Sequence, residues 1–177
     1  MRGLERKLRK SNRKRFMRKY LPSFPGCFAC GKENPRGIKL AIFEEDGIIQ
    51  AEFKPTADLA GFPGIIHGGI SCTLLDEIMW YASFAHSKKT VVTGEITVRL
   101  LKPLMDHSTY IISAEVIEER KKYILVQGII KGGNEIYCRA SGKYFFLPQV
   151  KDEDFKKRFK YQDAEGKSIP EELRYII

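Results

Sequence analysis

The sequence sets one carboxylate among apolar neighbours. Asp76 stands in Leu74-Leu75-Asp76-Glu77-Ile78-Met79-Trp80, within a stretch over residues 70–85 that is apolar on nearly every face. An ionised carboxyl withdrawn from water is costly unless a partner or a role compensates, so Asp76 is the candidate base or nucleophile. Glu77 is the next acid, but one residue is about 100° around a helix, so the two cannot face one ligand equally. Nine residues before Asp76 stands His67, which opens His67-Gly68-Gly69. Free backbone N–H groups at a helix start favour negative charge, and glycines let a carbonyl approach them closely. The Gly68 N–H is therefore the expected oxyanion donor. Histidine is a common general base near neutrality. The place of His67 in a turn that opens a helix fits a structural, oxyanion-supporting role better.

Cys27 and Cys30 have the two-residue spacing of a zinc half-site. Four ligands are needed and the sequence offers neither a second pair nor a nearby histidine, so no metal and no other cofactor is expected. A redox role is not expected either, because the pair follows Pro25-Gly26 in a loop instead of opening a helix after a strand. Arg99 and Lys102, at the end of a strand over residues 95–101, are candidates for binding phosphates.

The elements that position these groups follow from periodicity. Residues 38–54 read strand, turn, strand about Asp46-Gly47, a pair suited to a hairpin turn with positive φ at both positions. A Gly- and Pro-rich loop over residues 60–64 leads to the His-Gly-Gly triplet. A helix apolar all round must be surrounded by protein, and residues 70–85 give such a helix. Four further strands follow over 90–101, 109–119, 123–131 and 135–147, the last pair joined at Gly132-Gly133-Asn134. Two strands, one buried helix and four strands of antiparallel character make an α+β sheet wrapped around a helix.

At 177 residues the chain fits one core with extensions. The expected division is a basic N-terminal extension over 1–22, a domain over 23–148, and a charged C-terminal extension over 149–177 with helical stretches near 151–160 and 168–172. The net charge of +9 resides in residues 1–20, with ten Lys or Arg against Glu5. The rest is balanced and shows no nucleic-acid footprint. The basic run has a narrow apolar stripe of helical spacing and reads first as a solvated tail, with docking on an anionic membrane or nucleic acid as the second reading. No apolar run approaches the roughly 18–20 residues that cross a bilayer, and four sparse cysteines do not make a secreted disulfide scaffold, so a cytoplasmic location is expected.

The His-Gly-Gly triplet with an acid nine residues on, together with Cys27-Phe28-Ala29-Cys30-Gly31 and Asn34-Pro35-Arg36-Gly37, resembles the PaaI-like branch of the hotdog-fold acyl-CoA thioesterases over roughly residues 26–147. The resemblance implies a hotdog fold, an antiparallel sheet of five to six strands around one long central helix. It implies hydrolysis of an acyl-CoA, aromatic or medium-chain, to free acid and CoA. Asp76 would attack the thioester carbonyl or activate a water, and Thr93 on the strand after the helix would hold that water or the carboxylate. A homodimer, or a dimer of dimers, would place the site between subunits, with Asp76 of one facing the His-Gly-Gly loop of the other. His67, Gly69, Gly61, Phe62, Arg99 and Lys102 complete the expected substrate-binding set. Many members carry Asn six residues before the histidine, where this chain has Gly61. The second reading is a non-catalytic acyl-CoA-binding sensor on the same fold, against which the buried acid counts.

Overall fold

The computed structural model describes residues 17–177. Most of the basic run lies outside the described residues, and with it that run's helical reading and its docking on an anionic surface. The chain forms β1 (Lys19–Tyr20), β2 (Ile42–Glu45), β3 (Ile48–Phe53), β4 (Ala60–Phe62), β5 (Ile65–Ile66), α1 (Gly68–Ser87), β6 (Val91–Leu100), β7 (Tyr110–Glu119), β8 (Tyr123–Gly132), β9 (Glu135–Phe146) and α2 (Asp152–Lys156). Seven strands make one antiparallel sheet in the order β1-β2-β3-β7-β8-β9-β6, with β4 and β5 a separate ribbon.

The two strands before the helix and the four after it stand where the alternation places them. The sheet has one strand more than expected, because Lys19 and Tyr20 pair with Glu44 and Phe43 at its edge. Two residues are too few to show a period. The expected loop at 60–64 instead contributes to the β4–β5 ribbon, and 168–172 gives only a 3-10 turn at Glu171–Leu173. The β2–β3 turn has φ of 55° at Asp46 and 74° at Gly47, the doubly positive geometry that suits a twisted hairpin.

α1 lies against the sheet and closes the core. Leu74, Leu75, Ile78 and Met79 are fully buried on it, and Ile112, Ile124, Val126 and Ala140 meet them from the strands. Gly128 on β8 permits this approach, because a Cβ there would come within 3.0 Å of Met79 Cγ. On the sheet, Thr93 of β6 pairs in register with Tyr144 of β9, and the register then shifts between Thr93 and Glu95. Gly94 occupies that bulge, where a Cβ would lie 2.5 Å from the Phe145 ring. A bulge re-aims the side chains beside it, and this one sits next to the Thr93–Tyr144 pair.

The C-terminal segment packs on α1. Phe155 and Phe159 join Phe24, Trp80 and Phe84 in a cluster of rings, with Phe84 and Phe159 stacked at 5.7 Å. Asp152 ties the start of α2 to the residue before β6 by accepting the Thr90 N–H at 2.6 Å. No helix among the described residues is long and apolar enough to cross a membrane.

Candidate active site

Asp76 is half-buried in the middle of α1, and two hydroxyls converge on one of its oxygens. Thr93 Oγ1 donates to Oδ1 at 2.8 Å. Tyr144 Oη lies 3.1 Å from Oδ1 and 3.1 Å from the Asp76 carbonyl oxygen. Tyr144 is fully buried, and burial first, then the Asp76 charge, raises its phenol well above the ordinary range. It therefore stays protonated and acts as a donor. Both donors come from adjacent strands in register, so the sheet, and not a loop, sets the carboxylate's orientation. With Oδ1 engaged twice, Oδ2 is the oxygen left to act as base or nucleophile.

Glu77 points elsewhere, as the turn of the helix requires. Its Oε1 lies 3.4 Å from Cys27 Sγ, and one proton is shared between the two groups. Burial, and after it the charge of Cys27, pushes the Glu77 carboxyl up to about 8. The hydrogen bond from Cys30 lowers the Cys27 thiol to about 5 against the opposing effect of burial, with the N–H groups of Cys30 and Ala29 adding to it. A cavity of about 260 Å³ opens between this cluster and Asp76, walled by Phe24, Trp80, Phe155 and Phe159.

A second cavity, of about 370 Å³, lies at the start of α1 and brings together Gly61, Phe62, His67, Gly68 and Lys102. His67 is the N-cap of α1, its Nδ1 accepting the Gly69 N–H at 2.9 Å and its carbonyl accepting the Ile70 N–H at 2.9 Å. Both bonds are structural, and the Gly69 N–H is occupied by one of them. The Gly68 N–H is left, among the described residues, as the free donor of the first turn. Gly61 packs on His67, where a Cβ would come within 3.2 Å of its Cα, so a side chain at this position requires the cap residue to give by a few tenths of an ångström. Lys102 Nζ donates to Glu135 at 2.6 Å on the surface, and Arg99 is exposed on β6. Gly68 and Asp76 are eight residues apart on one helix, about 12 Å along its axis. The structure thus brings Asp76 to Thr93, and Gly68 to Gly61, Phe62, His67 and Lys102, but does not bring the two groups together within one chain.

Tyr144 and the aromatic wall were not found by spacing. Tyr144 reads as an ordinary inward residue of the last strand, and Phe155 and Phe159 as the apolar face of a surface helix. Their only sequence signal is the concentration of aromatics in an otherwise charged tail.

Residues 63–138 match the family model of the Thioesterase superfamily. An uncharacterized protein of Schizosaccharomyces pombe is 29% identical over 101 residues, which are 54% of this chain and 58% of that protein. A crystallised thioesterase superfamily protein superposes with a TM-score of 0.63 at 22% identity, covering 70% of this chain and 61% of its own. The chain therefore spans less than two thirds of the length of either. The Streptococcus mutans protein smu.793, solved bound to acetyl CoA, superposes with a TM-score of 0.57 at 18% identity, over 61% of this chain and 88% of its own. The fold is the hotdog thioesterase fold, a large antiparallel sheet with one main helix packed against it.

Proposed function

We propose that the protein hydrolyses acyl-CoA thioesters to free acid and CoA. The observation that carries this reading is the carboxylate of Asp76, fixed through Oδ1 by Thr93 and Tyr144 on a fold whose solved examples include one bound to acetyl CoA. A binding module has no use for an acid held in this way beside a thioester, which weighs against the sensor reading. In the hydrolytic step Oδ2 takes a proton from water as its oxygen attacks the carbonyl carbon, or attacks that carbon itself and is freed by water afterwards. Negative charge grows on the carbonyl oxygen, where the Gly68 N–H donates. In the first route the C–S bond then breaks and the CoA sulfur leaves with the proton held on Oδ2; in the second it leaves as thiolate, and water then splits the acyl–Asp76 anhydride to free acid and carboxylate, its remaining proton neutralising the thiolate.

A reacting carbon must lie about 3 Å from both the attacking group and the oxyanion donor. The separation of about 12 Å between Gly68 and Asp76 along α1 forbids this within one chain. We therefore assign Asp76 of one copy and Gly68 of a second copy to each site. Support comes from the apolar residues exposed about the mouth of the Gly68 cavity, with Phe62 at 73%, Leu100 at 52% and Leu101 at 51% exposure, and from β6, which ends the sheet with an edge unpaired among the described residues. An exposed apolar patch beside a long free edge strand calls for a partner.

Lys102 and Arg99 would meet the phosphates of CoA, a stronger anion than Glu135 for an exposed lysine. The aromatic wall of the other cavity fits an aromatic or medium-chain acyl group. Within this reading 23–148 is the catalytic domain of a PaaI-like enzyme acting in the cytoplasm, and 149–177 supplies part of the acyl wall.

The test is release of free thiol from a panel of aromatic and medium-chain acyl-CoAs. Wild type should turn over at least one member, and Asp76→Asn should lower kcat by about 10²- to 10⁴-fold, the range for loss of a positioned base. Absence of turnover across the panel, or a fully active variant, rejects the reading.

A further inference from the structure

Cys27 and Cys30 offer two soft donors, and the fold adds a third that the sequence keeps 50 residues away. The two sulfurs and a Glu77 carboxylate oxygen all lie within 4.8 Å of one another. The Cys27 Sγ to Glu77 Oε1 distance is 3.4 Å. Two donors on a tetrahedral zinc, one sulfur at about 2.3 Å and one oxygen at about 2.1 Å, stand about 3.5 Å apart.

The loop directs a backbone donor at the Cys27 sulfur, whereas the hydrogen bond to Cys27 and then burial push the Cys30 thiol well up, so a bound cation must displace the Cys30 proton. The Ala29 N–H donates to Cys27 Sγ at 3.3 Å. The chain then turns sharply, with the Gly31 N–H donating to the Cys27 carbonyl at 3.1 Å. A Cβ at Gly31 would lie 2.4 Å from the carbonyl oxygens of both Cys27 and Pro25, so only glycine closes this turn. The result is a knuckle in which backbone dipoles face one sulfur and the second comes round to the same side. Tyr81 Oη gives its one proton to the Pro22 carbonyl at 2.7 Å and packs 3.3 Å from Cys30 Sγ without donating to it.

The cluster also concentrates potential negative charge. Lys32 is a buried cation within electrostatic reach of Cys30, but its ammonium donates to the carbonyls of Lys39 and Leu40. A divalent cation would bring the three donors together and balance their charge. Thiolates select the zinc class over magnesium or calcium.

We propose that Cys27, Cys30 and Glu77 bind one zinc-class divalent cation, leaving a coordination position that faces the 260 Å³ cavity beside Asp76. Three protein donors with an open fourth position is the arrangement of a site that admits water or a ligand, in contrast to a closed structural site.

The experiment is titration of the metal-free, fully reduced protein with Co²⁺, followed by absorption. The expected result is thiolate-to-cobalt charge transfer in the near ultraviolet together with tetrahedral d–d bands, saturating at one equivalent per chain. Zn²⁺ should bleach both and Mg²⁺ neither. Cys27→Ser with Cys30→Ser should remove the charge-transfer band, while Glu77→Gln should retain it with affinity lowered at least about tenfold. Absence of the band in wild type overturns the proposal, and so does the same spectrum in the double serine variant. Unchanged affinity in Glu77→Gln overturns the three-donor site. The wild-type titration decides the matter alone if the serine variant does not fold. Because the readout is metal absorption and not turnover, it is independent of the proposed hydrolysis.

Discussion

At the scale of the residue, the account rests on how Asp76 is held. A hydrogen bond to a charged group is worth about 1.5–3 kcal/mol, and each 1.4 kcal/mol is a factor of ten. Thr93→Ala and Tyr144→Phe each remove one donor to Oδ1, so each should lower kcat about tenfold or more in the thiol-release assay. Because both donors act on one oxygen, their effects should not add, and a double variant falling by much less than the product of the singles would show it. Unchanged kcat in both single variants would mean that the sheet does not position the carboxylate.

At the scale of the element, α1 is set by its cap and by what lies on its outer face. The His67 side chain caps the helix through the Gly69 N–H, so His67→Ala should lower unfolding free energy by about 1 kcal/mol in urea, while His67→Asn, a good cap residue, should retain most of it. Equal stability of wild type and the alanine variant would contradict the capping role. Phe159 is half-buried against Trp80 and Phe84, and Phe159→Ala should cost about 2 kcal/mol, below the 3–5 kcal/mol of a fully buried ring, read as a lower melting temperature. Had the tail been a mere appendage, the melting temperature would not move. The elements legible in the sequence are those whose signal is local. The apolar run at 70–85, the Asp46-Gly47 turn and the alternation of the six long strands carry their own period or turn chemistry. The spacing of His67 and Asp76 is local too, and so is the pairing of Thr93 with a helix acid once a family resemblance is admitted. Tyr144 over Asp76, Cys27 beside Glu77 and Phe159 on Phe84 depend on register and packing across 68, 50 and 75 positions, and no period in the chain encodes them.

At the scale of the whole molecule, the net charge and the site belong to different parts of the chain. Most of the basic run precedes β1 in the sequence, whereas the described residues present an apolar patch and a free sheet edge at β6. The central claim is that each active site takes Asp76 from one copy and the Gly68 N–H from another. Proline at the first position of a helix removes that N–H and little else, and the residue before it, His67, already has φ −58° and ψ 132°, which proline tolerates in its predecessor. A Cβ at position 68 meets the flexible tip of Leu100 at 3.0 Å and no other atom within 4 Å. The decisive measurement mixes two inactive proteins, Asp76→Asn and Gly68→Pro, under conditions that exchange subunits, and assays thiol release. A mixed dimer carries one site with both lesions and one with neither, so statistical mixing should restore about a quarter of wild-type activity. A mixture no more active than its components would contradict a site shared between two copies.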